Sequence, residues 1–142
     1  MIKIDYPIPT FKIKTEGKQE YIFDVNRKKW ILLTPEEWVR QNFLQYLIQT
    51  KKYPASLISV EKEISLGELK KRYDVVIYKN DNPWMIVECK EMEVTISEKT
   101  ILQILNYNQI LDVAFLIITN GKETYGIETS TKKNLSTIPE YR

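Results

Sequence analysis

The chain has 142 residues, of which 43% are apolar and 28% charged, and its 21 basic and 19 acidic side chains give a net charge of +2. This length and composition predict one folded domain and argue against disorder or a disulfide scaffold. The chain has no histidine and one cysteine, which excludes Ser-His-Asp triads, Cys-His dyads and His-ligated zinc and favours a reducing compartment. The longest apolar run, residues 113–118, is strand-sized, so we expect a cytoplasmic protein with no membrane partner.

The first part of the chain predicts β-structure. Residues 11–14 alternate between apolar and polar side chains, and residues 21–23 and 30–33 are short apolar runs. Turn residues separate the first two runs. Residues 1–33 are therefore expected to form a β extension packed on the main core.

A helix is predicted directly after this extension. Thr34 is a suitable N-cap residue, Pro35 favours the first helical position, and Glu37 completes a capping box three residues after the cap. Apolar side chains then recur at helical spacing up to about Thr50.

The remaining core elements follow in a regular order. Residues 57–64, 73–78 and 84–87 predict three strands, and capping residues at 95–98 predict a second helix. A buried strand at 114–119 comes after it. The resulting order is α-β-β-β-α-β, and the crossover through the second helix should place its two strands parallel.

The second and third of these strands are expected to form an antiparallel hairpin. Symmetric closure on Asp81 pairs Tyr78 with Trp84 and Val76 with Ile86. A slip of one residue would turn every side chain to the other face.

In this register three charged side chains converge at one end of the hairpin. Asp74 lies opposite Glu88, and Lys90 projects from the same face two residues later. Because like charges opposite each other are destabilising, something must compensate. The residues leave two alternatives open, a divalent cation held by the two carboxylates or an ion pair with Lys90.

Five blocks of sequence, in this order, resemble one family. They are TPEEWVRQ at 34–41, KRYDVV at 71–76, IVECK at 86–90, QILNYN at 103–108 and TNG at 119–121. They look like the N-terminal nuclease domain of the restriction (R) subunit of type I restriction enzymes, within the PD-(D/E)XK nuclease superfamily. The resemblance covers about residues 22–125.

The resemblance implies a fold and its boundaries. The expected class is α/β (α+β), with a restriction-endonuclease-like core built on a mixed central sheet. Residues 1–33 would be the β extension, 34–128 the nuclease-like core and 129–142 a loosely ordered tail, all in a single domain.

The resemblance also implies an activity. In this superfamily an Asp opens the second core strand and a Glu-x-Lys closes the third, and the matching residues here are Asp74, Glu88 and Lys90. The proline that often precedes the Asp is replaced by Tyr73. The implied reaction is hydrolysis of DNA that depends on Mg²⁺ (or Mn²⁺), with both carboxylates as metal ligands and Lys90 organising the attacking water.

Three further residues have two interpretations each. Gln103 and Tyr107 match a Gln-x-x-x-Tyr motif of several such nucleases, which implies contact with phosphate or the carboxylates, but they also suit an ordinary helix flank. Glu37 is either an additional catalytic acid or only a capping residue. Cys89 alternates with Glu88 and is predicted to be a buried apolar side chain.

Lys70, Lys71 and Arg72 directly precede Asp74 and suggest electrostatic contacts with a nucleic-acid backbone, or a solvated face. The expected partners are DNA and possible restriction-modification or motor subunits. No ATP-binding loop is predicted, because Gly121 and Gly126 are not followed by the Lys and Ser/Thr of a P-loop. The alternative function is a catalytically idle nuclease-fold module that binds DNA or a protein.

Overall fold

The computed structural model describes residues 1–107 and 112–142 of the chain. Its elements, in chain order, are β1 (Ile13–Glu16), β2 (Gln19–Asp24), β3 (Lys29–Leu32), α1 (Pro35–Gln45), β4 (Ile58–Leu66), β5 (Leu69–Lys79), β6 (Asn82–Cys89), α2 (Glu98–Tyr107), β7 (Phe115–Thr119), β8 (Thr124–Glu128) and β9 (Lys133–Asn134). A π-helical turn at Tyr46–Thr50 continues α1, and a 3-10 turn at Ala55–Leu57 precedes β4.

The strands form two sheets. The predicted β extension is a separate antiparallel sheet in the order β1-β2-β3, and the main sheet has the order β4-β5-β6-β7-β8-β9. Within the main sheet only β6 and β7, which are joined through α2, pair in parallel. The fold is therefore mixed α/β with a mixed six-stranded sheet, and its elements follow the expected α-β-β-β-α-β order.

The first helix begins where the sequence predicts. The hydroxyl of Thr34 accepts a hydrogen bond of 3.1 Å from the backbone N–H of Glu37, and Pro35 occupies the first turn. This bond satisfies one of the N–H groups that a helix start leaves without an intrahelical partner.

The two helices cover opposite faces of the main sheet. On one face Phe43 of α1 packs with Val75 and Val87, and on the other face Ile101 of α2 packs with Ile86. Burial on both faces explains why the central strands are nearly continuous apolar runs rather than alternating ones. The charged residues Lys70, Lys71, Arg72 and Asp74 consequently lie in the first half of β5, before its buried apolar run begins at Val75.

The β5–β6 hairpin agrees with the predicted register in its body and differs at its tip. Val76 pairs with Ile86 as expected, but Tyr78 pairs with Pro83, so Trp84 is an extra, bulged residue. The turn consists of Asn80 and Asp81, which have φ values of 51° and 65°. Positive φ at both central residues matches the twist of the flanking strands better than the predicted symmetric closure on Asp81 does.

The segment 129–142, expected to be loosely ordered, packs on the main body. Ile138 is 1% exposed and belongs to the core on the α1 side. The hydroxyl of Tyr53 donates to the carbonyl of Pro139 at 2.6 Å, and that of Tyr141 donates to the carbonyl of Tyr78 at 2.9 Å. Within the described ranges, no helix is long and apolar enough to span a membrane.

Candidate active site

The β5–β6 ladder ends just before the two predicted acidic residues. Val75 and Val87 form the last pair of its regular register, and Asp74 and Glu88 come next on their strands. The carboxylate of Asp74 accepts a hydrogen bond of 2.8 Å from the backbone N–H of Cys89. A side chain thus takes the place of a strand partner and fixes Asp74 beside the end of β6.

Glu88 responds strongly to its surroundings. Burial, the negative charge of Asp74 and a hydrogen bond with Asp74 raise the pKa of Glu88 to about 7, and the charges of Lys90 and Lys71 oppose this only in part. Glu88 therefore keeps its proton to a higher pH than an exposed glutamate does, because burial and a neighbouring carboxylate both disfavour its charged form. The structure therefore brings Asp74 and Glu88 together, as the sequence indicates.

The positive charge that compensates Asp74 comes from α1. The Nη2 atom of Arg40 donates to Asp74 Oδ1 at 3.2 Å, and the Arg40 side chain is 5% exposed. Among the ion pairs of the described residues, neither Asp74 nor Glu88 is joined to Lys90. The Lys90 ion pair that the sequence left open is therefore replaced by one with Arg40, 34 residues away from Asp74 along the chain.

On the α2 side, Glu88 opens into a depression of about 430 Å³. The backbone N–H of Lys90 donates to the carbonyl of Thr119 at 2.9 Å, which fixes the residue directly after β6. The lining combines acidic, basic and amide side chains at one sheet end. It consists of Lys71, Arg72, Glu88, Lys90, Thr100, Gln103 and Ile104.

The remaining predicted site residues lie on α2 and β5. Gln103 is exposed on the α2 wall of the depression, and Lys70 is exposed on β5. Tyr107 ends α2, but its side chain lies outside the described part of the structure, as does residue Asn108 of the same sequence block. The predicted contact of Gln103 and Tyr107 with phosphate stays a prediction.

Cys89 is 1% exposed and packs in the core on the α1 side. Burial raises the pKa of its thiol well above the ordinary value, as expected of an inert structural cysteine. Its predicted role as a buried apolar residue is confirmed.

Glu37 lies on the α1 side of Asp74 and is 4% exposed. Its backbone N–H makes the capping bond, but its carboxylate accepts hydrogen bonds from Arg27 at 2.9 Å, Arg40 at 2.7 Å and Gln41 at 3.1 Å. The capping bond is thus present, and the catalytic role of Glu37 stays a prediction. Glu37 is more than a cap, and it reaches Asp74 only through the guanidinium of Arg40.

The side chains of Asp24, Arg27, Glu37, Arg40 and Gln41 form one buried ionic cluster. Its two basic residues, Arg27 and Arg40, were not identified from the sequence. Arg40 follows Glu37 by three residues, which places both on one helix face. It also lies next to Val39, which is 2% exposed. The pair of Glu37 and Arg40 beside the apolar stripe of α1 was the sequence signal that could have indicated a buried ion pair. Nothing local, however, indicates that Arg27 in the turn after β2 joins the cluster.

Asp24 anchors the far end of the cluster and is fully buried. Burial alone would raise the pKa of Asp24, but hydrogen bonds and charge from Arg27 and a hydrogen bond from Gln41 outweigh it and hold the pKa below its ordinary value. The β extension is thereby tied to α1 by ionic contacts as well as by packing.

The oxygen donors at the sheet end fit a magnesium ion. Among the described residues no group of three or more His, Cys, Asp or Glu side chains is arranged to hold a metal. Mg²⁺ commonly takes only one or two carboxylates and completes its shell with waters and phosphate oxygens. Once Glu88 has lost the proton of its hydrogen bond with Asp74, each Asp74 oxygen accepts one protein hydrogen bond and keeps a further lone pair. Asp74 and Glu88 could therefore supply the one or two carboxylates that such an ion takes from a protein.

Comparison with known proteins gives one match. The family model of the type I restriction enzyme R protein N terminus matches residues 35–140, which is more than half of the chain. No curated protein and no solved structure shows a significant match.

Proposed function

The chain belongs to the family of type I restriction enzyme R protein N termini, and from this premise we propose that it is a magnesium-dependent nuclease domain of the PD-(D/E)XK type that hydrolyses DNA. One observation carries the proposal, the Asp74–Glu88 carboxyl pair, whose Glu88 lines a depression together with the basic side chains of Lys71, Arg72 and Lys90. The α-β-β-β-α-β order and the mixed sheet are consistent with such a core.

Asp74 and Glu88 would hold the metal ion through their carboxylate oxygens. When bound, magnesium supplies polarisation of the phosphodiester, a lower pKa for water and charge neutralisation in the transition state. The raised pKa of Glu88 means that this carboxyl must lose a proton before it can act as an anionic ligand. Metal affinity should therefore rise as the pH passes through about 7.

Lys90 would orient the attacking water and offset negative charge on the phosphoryl oxygens. Its position directly after β6, held by the bond to Thr119, sets the base of the side chain on the rim of the depression. Gln103 on the opposite wall is suited to donate to a phosphate oxygen. Tyr107, one helical turn further along α2, is proposed to contact the same phosphate.

Lys70, Lys71 and Arg72 would contact the DNA backbone. Lys71 and Arg72 line the depression, and the Lys71 ammonium lies 5.4 Å from the ring centroid of Tyr73. Phosphate contacts of this kind position the duplex without reading its sequence. Family membership suggests motor and modification subunits as partners, consistent with a domain that cuts where other subunits direct it.

Nicking of supercoiled plasmid, measured with and without magnesium, tests the proposal. Cleavage is expected with Mg²⁺ or Mn²⁺, none in EDTA, and none for Asp74→Ala or Glu88→Ala. Calorimetric titration with Mn²⁺ should show a binding site in the wild type that Glu88→Ala lacks. Glu93→Ala is the matched control, because its side chain is 82% exposed outside the depression.

Cleavage that survives EDTA or Asp74→Ala would overturn the assignment. DNA or protein binding that ignores magnesium and tolerates Asp74→Ala would instead establish the alternative, a catalytically idle module with a nuclease fold.

A further inference from the structure

Arg40 contacts more carboxylates than one cation can neutralise. Its Nη1 lies 2.7 Å from Glu37 and 3.6 Å from Glu61, and its Nη2 lies 3.2 Å from Asp74 and 3.3 Å from Glu36. The Nε atom of Arg40 is buried and has no hydrogen-bond partner among the described residues. The guanidinium is thus oriented by its two terminal nitrogens alone, towards Glu37 on one side and Asp74 on the other.

The strand backbone is distorted where this contact is made. The pairs Val60–Val75 and Lys62–Tyr73 place Glu61 opposite Asp74 in the β4–β5 register. Glu61 has a φ of 52°, a left-handed conformation that costs free energy for a residue with a side chain. The carboxylates of Glu61 and Asp74 both approach Arg40. The regular β4–β5 ladder is therefore interrupted at the point where Asp74 contacts the guanidinium.

Arg40 is itself held from behind. Glu37 accepts from Arg27 and Gln41 as well as from Arg40. Arg27 in turn is bonded to the fully buried Asp24. These contacts leave the Arg40 guanidinium little freedom, because its two nearest partners, Glu37 and Asp74, are each fixed by a second partner.

We propose that Arg40 is a positioning residue for the metal site, an inference that rests on the function proposed above. Its Nη2 holds Asp74 Oδ1 while the Cys89 N–H holds Oδ2. The carboxylate plane is fixed beside Glu88, with its remaining lone pairs free for the metal. Arg40 does not line the depression that would receive DNA. It acts on the reaction only through Asp74.

Arg40→Lys tests this role because it keeps the charge and removes the planar fork. If orientation matters, calorimetric Mn²⁺ binding should weaken by about tenfold, the usual scale for loss of a partner that orients a metal ligand. The kcat for DNA cleavage should fall by a similar factor and the KM for DNA should stay unchanged. A merely structural role would lower the melting temperature and leave the metal affinity unchanged.

A second variant covers the case in which Arg40→Lys does not fold. Glu37→Gln keeps the helix start and the side-chain shape but removes the shortest ionic contact of Arg40. Glu37→Gln should also weaken Mn²⁺ binding, by a smaller factor than Arg40→Lys does. In Arg40→Ala, added methylguanidinium should restore part of the cleavage, whereas the same compound should not restore Asp74→Ala.

The outcomes separate the two proposals. A wild-type chain that neither binds metal nor cuts DNA overturns the proposed function and this inference with it. Wild-type activity together with unchanged Mn²⁺ affinity and kcat in Arg40→Lys overturns the positioning role alone, as does unchanged Mn²⁺ affinity in Glu37→Gln if the lysine variant is unfolded.

Discussion

The carboxyl groups of Asp74 and Glu88 have different environments on the two sides of the main sheet. On the α1 side Asp74 is held by Arg40, which is 5% exposed and fixed by further buried partners. On the α2 side Glu88 faces an open depression with Lys90 on its rim. The α1 side pairs Asp74 with a buried cation, whereas the α2 side leaves Glu88 accessible to a ligand in the depression. Apart from Arg40 and Glu37, which act on the metal site through Asp74, changes on the α1 side should therefore mainly cost stability, and changes on the α2 side should mainly cost activity.

The largest expected effect is on the α2 side. Lys90→Ala should reduce magnesium-dependent nicking by about 10²–10⁴-fold, the scale for loss of a group that handles protons or water in the transition state. Because Lys90 is exposed, the substitution should change the free energy of unfolding of the protein by no more than about 0.5 kcal/mol. Plasmid nicking and thermal melts measure the two quantities on the same preparation.

Lys18→Ala is the control for this variant, since Lys18 is an exposed lysine in the β1–β2 turn. It should match the wild type in both measurements. A Lys90→Ala protein that cuts normally, or one that is clearly destabilised, would remove the distinction between the two sides.

The α1 side should show the reverse pattern. Arg27→Ala leaves Asp24, which is fully buried, and Glu37 without their shared cation. Breaking a buried ion pair by removing one partner costs about 3–5 kcal/mol, which corresponds to a melting temperature lower by about 10 °C. Thermal melts in EDTA measure this loss.

Lys29→Ala, on the neighbouring strand β3 and exposed, should leave the melting temperature within about 2 °C of the wild type. If Arg27→Ala lost less than about 1 kcal/mol, the cluster would behave as a solvent-screened surface network rather than a buried one.

The pH dependence of stability should reveal the carboxyl pair itself. Glu88 ionises near its ordinary 4.5 in the unfolded chain but at about 7 in the folded protein. It therefore contributes stability at low pH that is lost as the pH rises through about 7. Without metal, Glu88→Gln should melt like the wild type at pH ~5 and on the order of 5 °C higher at pH ~8.

Glu93→Gln, which changes an exposed carboxyl, should show no such difference between the two pH values. An equal effect of Glu88→Gln at both pH values would contradict the raised pKa of Glu88 in the folded protein.

The smallest expected effect concerns DNA affinity. Arg72 lines the depression and is exposed, so Arg72→Ala should remove one phosphate contact. The slope of log affinity against log salt should then become shallower by about 0.9 for duplex DNA. Fluorescence anisotropy titrations at several salt concentrations measure the slope, and an unchanged slope would place Arg72 outside the DNA contact surface.

Local features of the sequence predicted local structure well. Thr34 and Pro35 start α1 as expected, because capping depends only on neighbouring residues. The pairing of Val76 with Ile86 is also confirmed. The hairpin tip could not be predicted by symmetry, because the preference for positive φ at the two turn residues displaces Trp84 into a bulge.

By itself the sequence determined the order of elements and the meeting of Asp74 with Glu88, since strand periodicity and a short hairpin bring them to one sheet end. Only the tertiary structure decided what holds Asp74. Arg40 reaches it across 34 residues of chain, and that contact depends on how α1 packs against the sheet. Hydrophobic periodicity fixes which helix face is buried. It does not specify which charged side chain of that helix will contact which residue of the sheet.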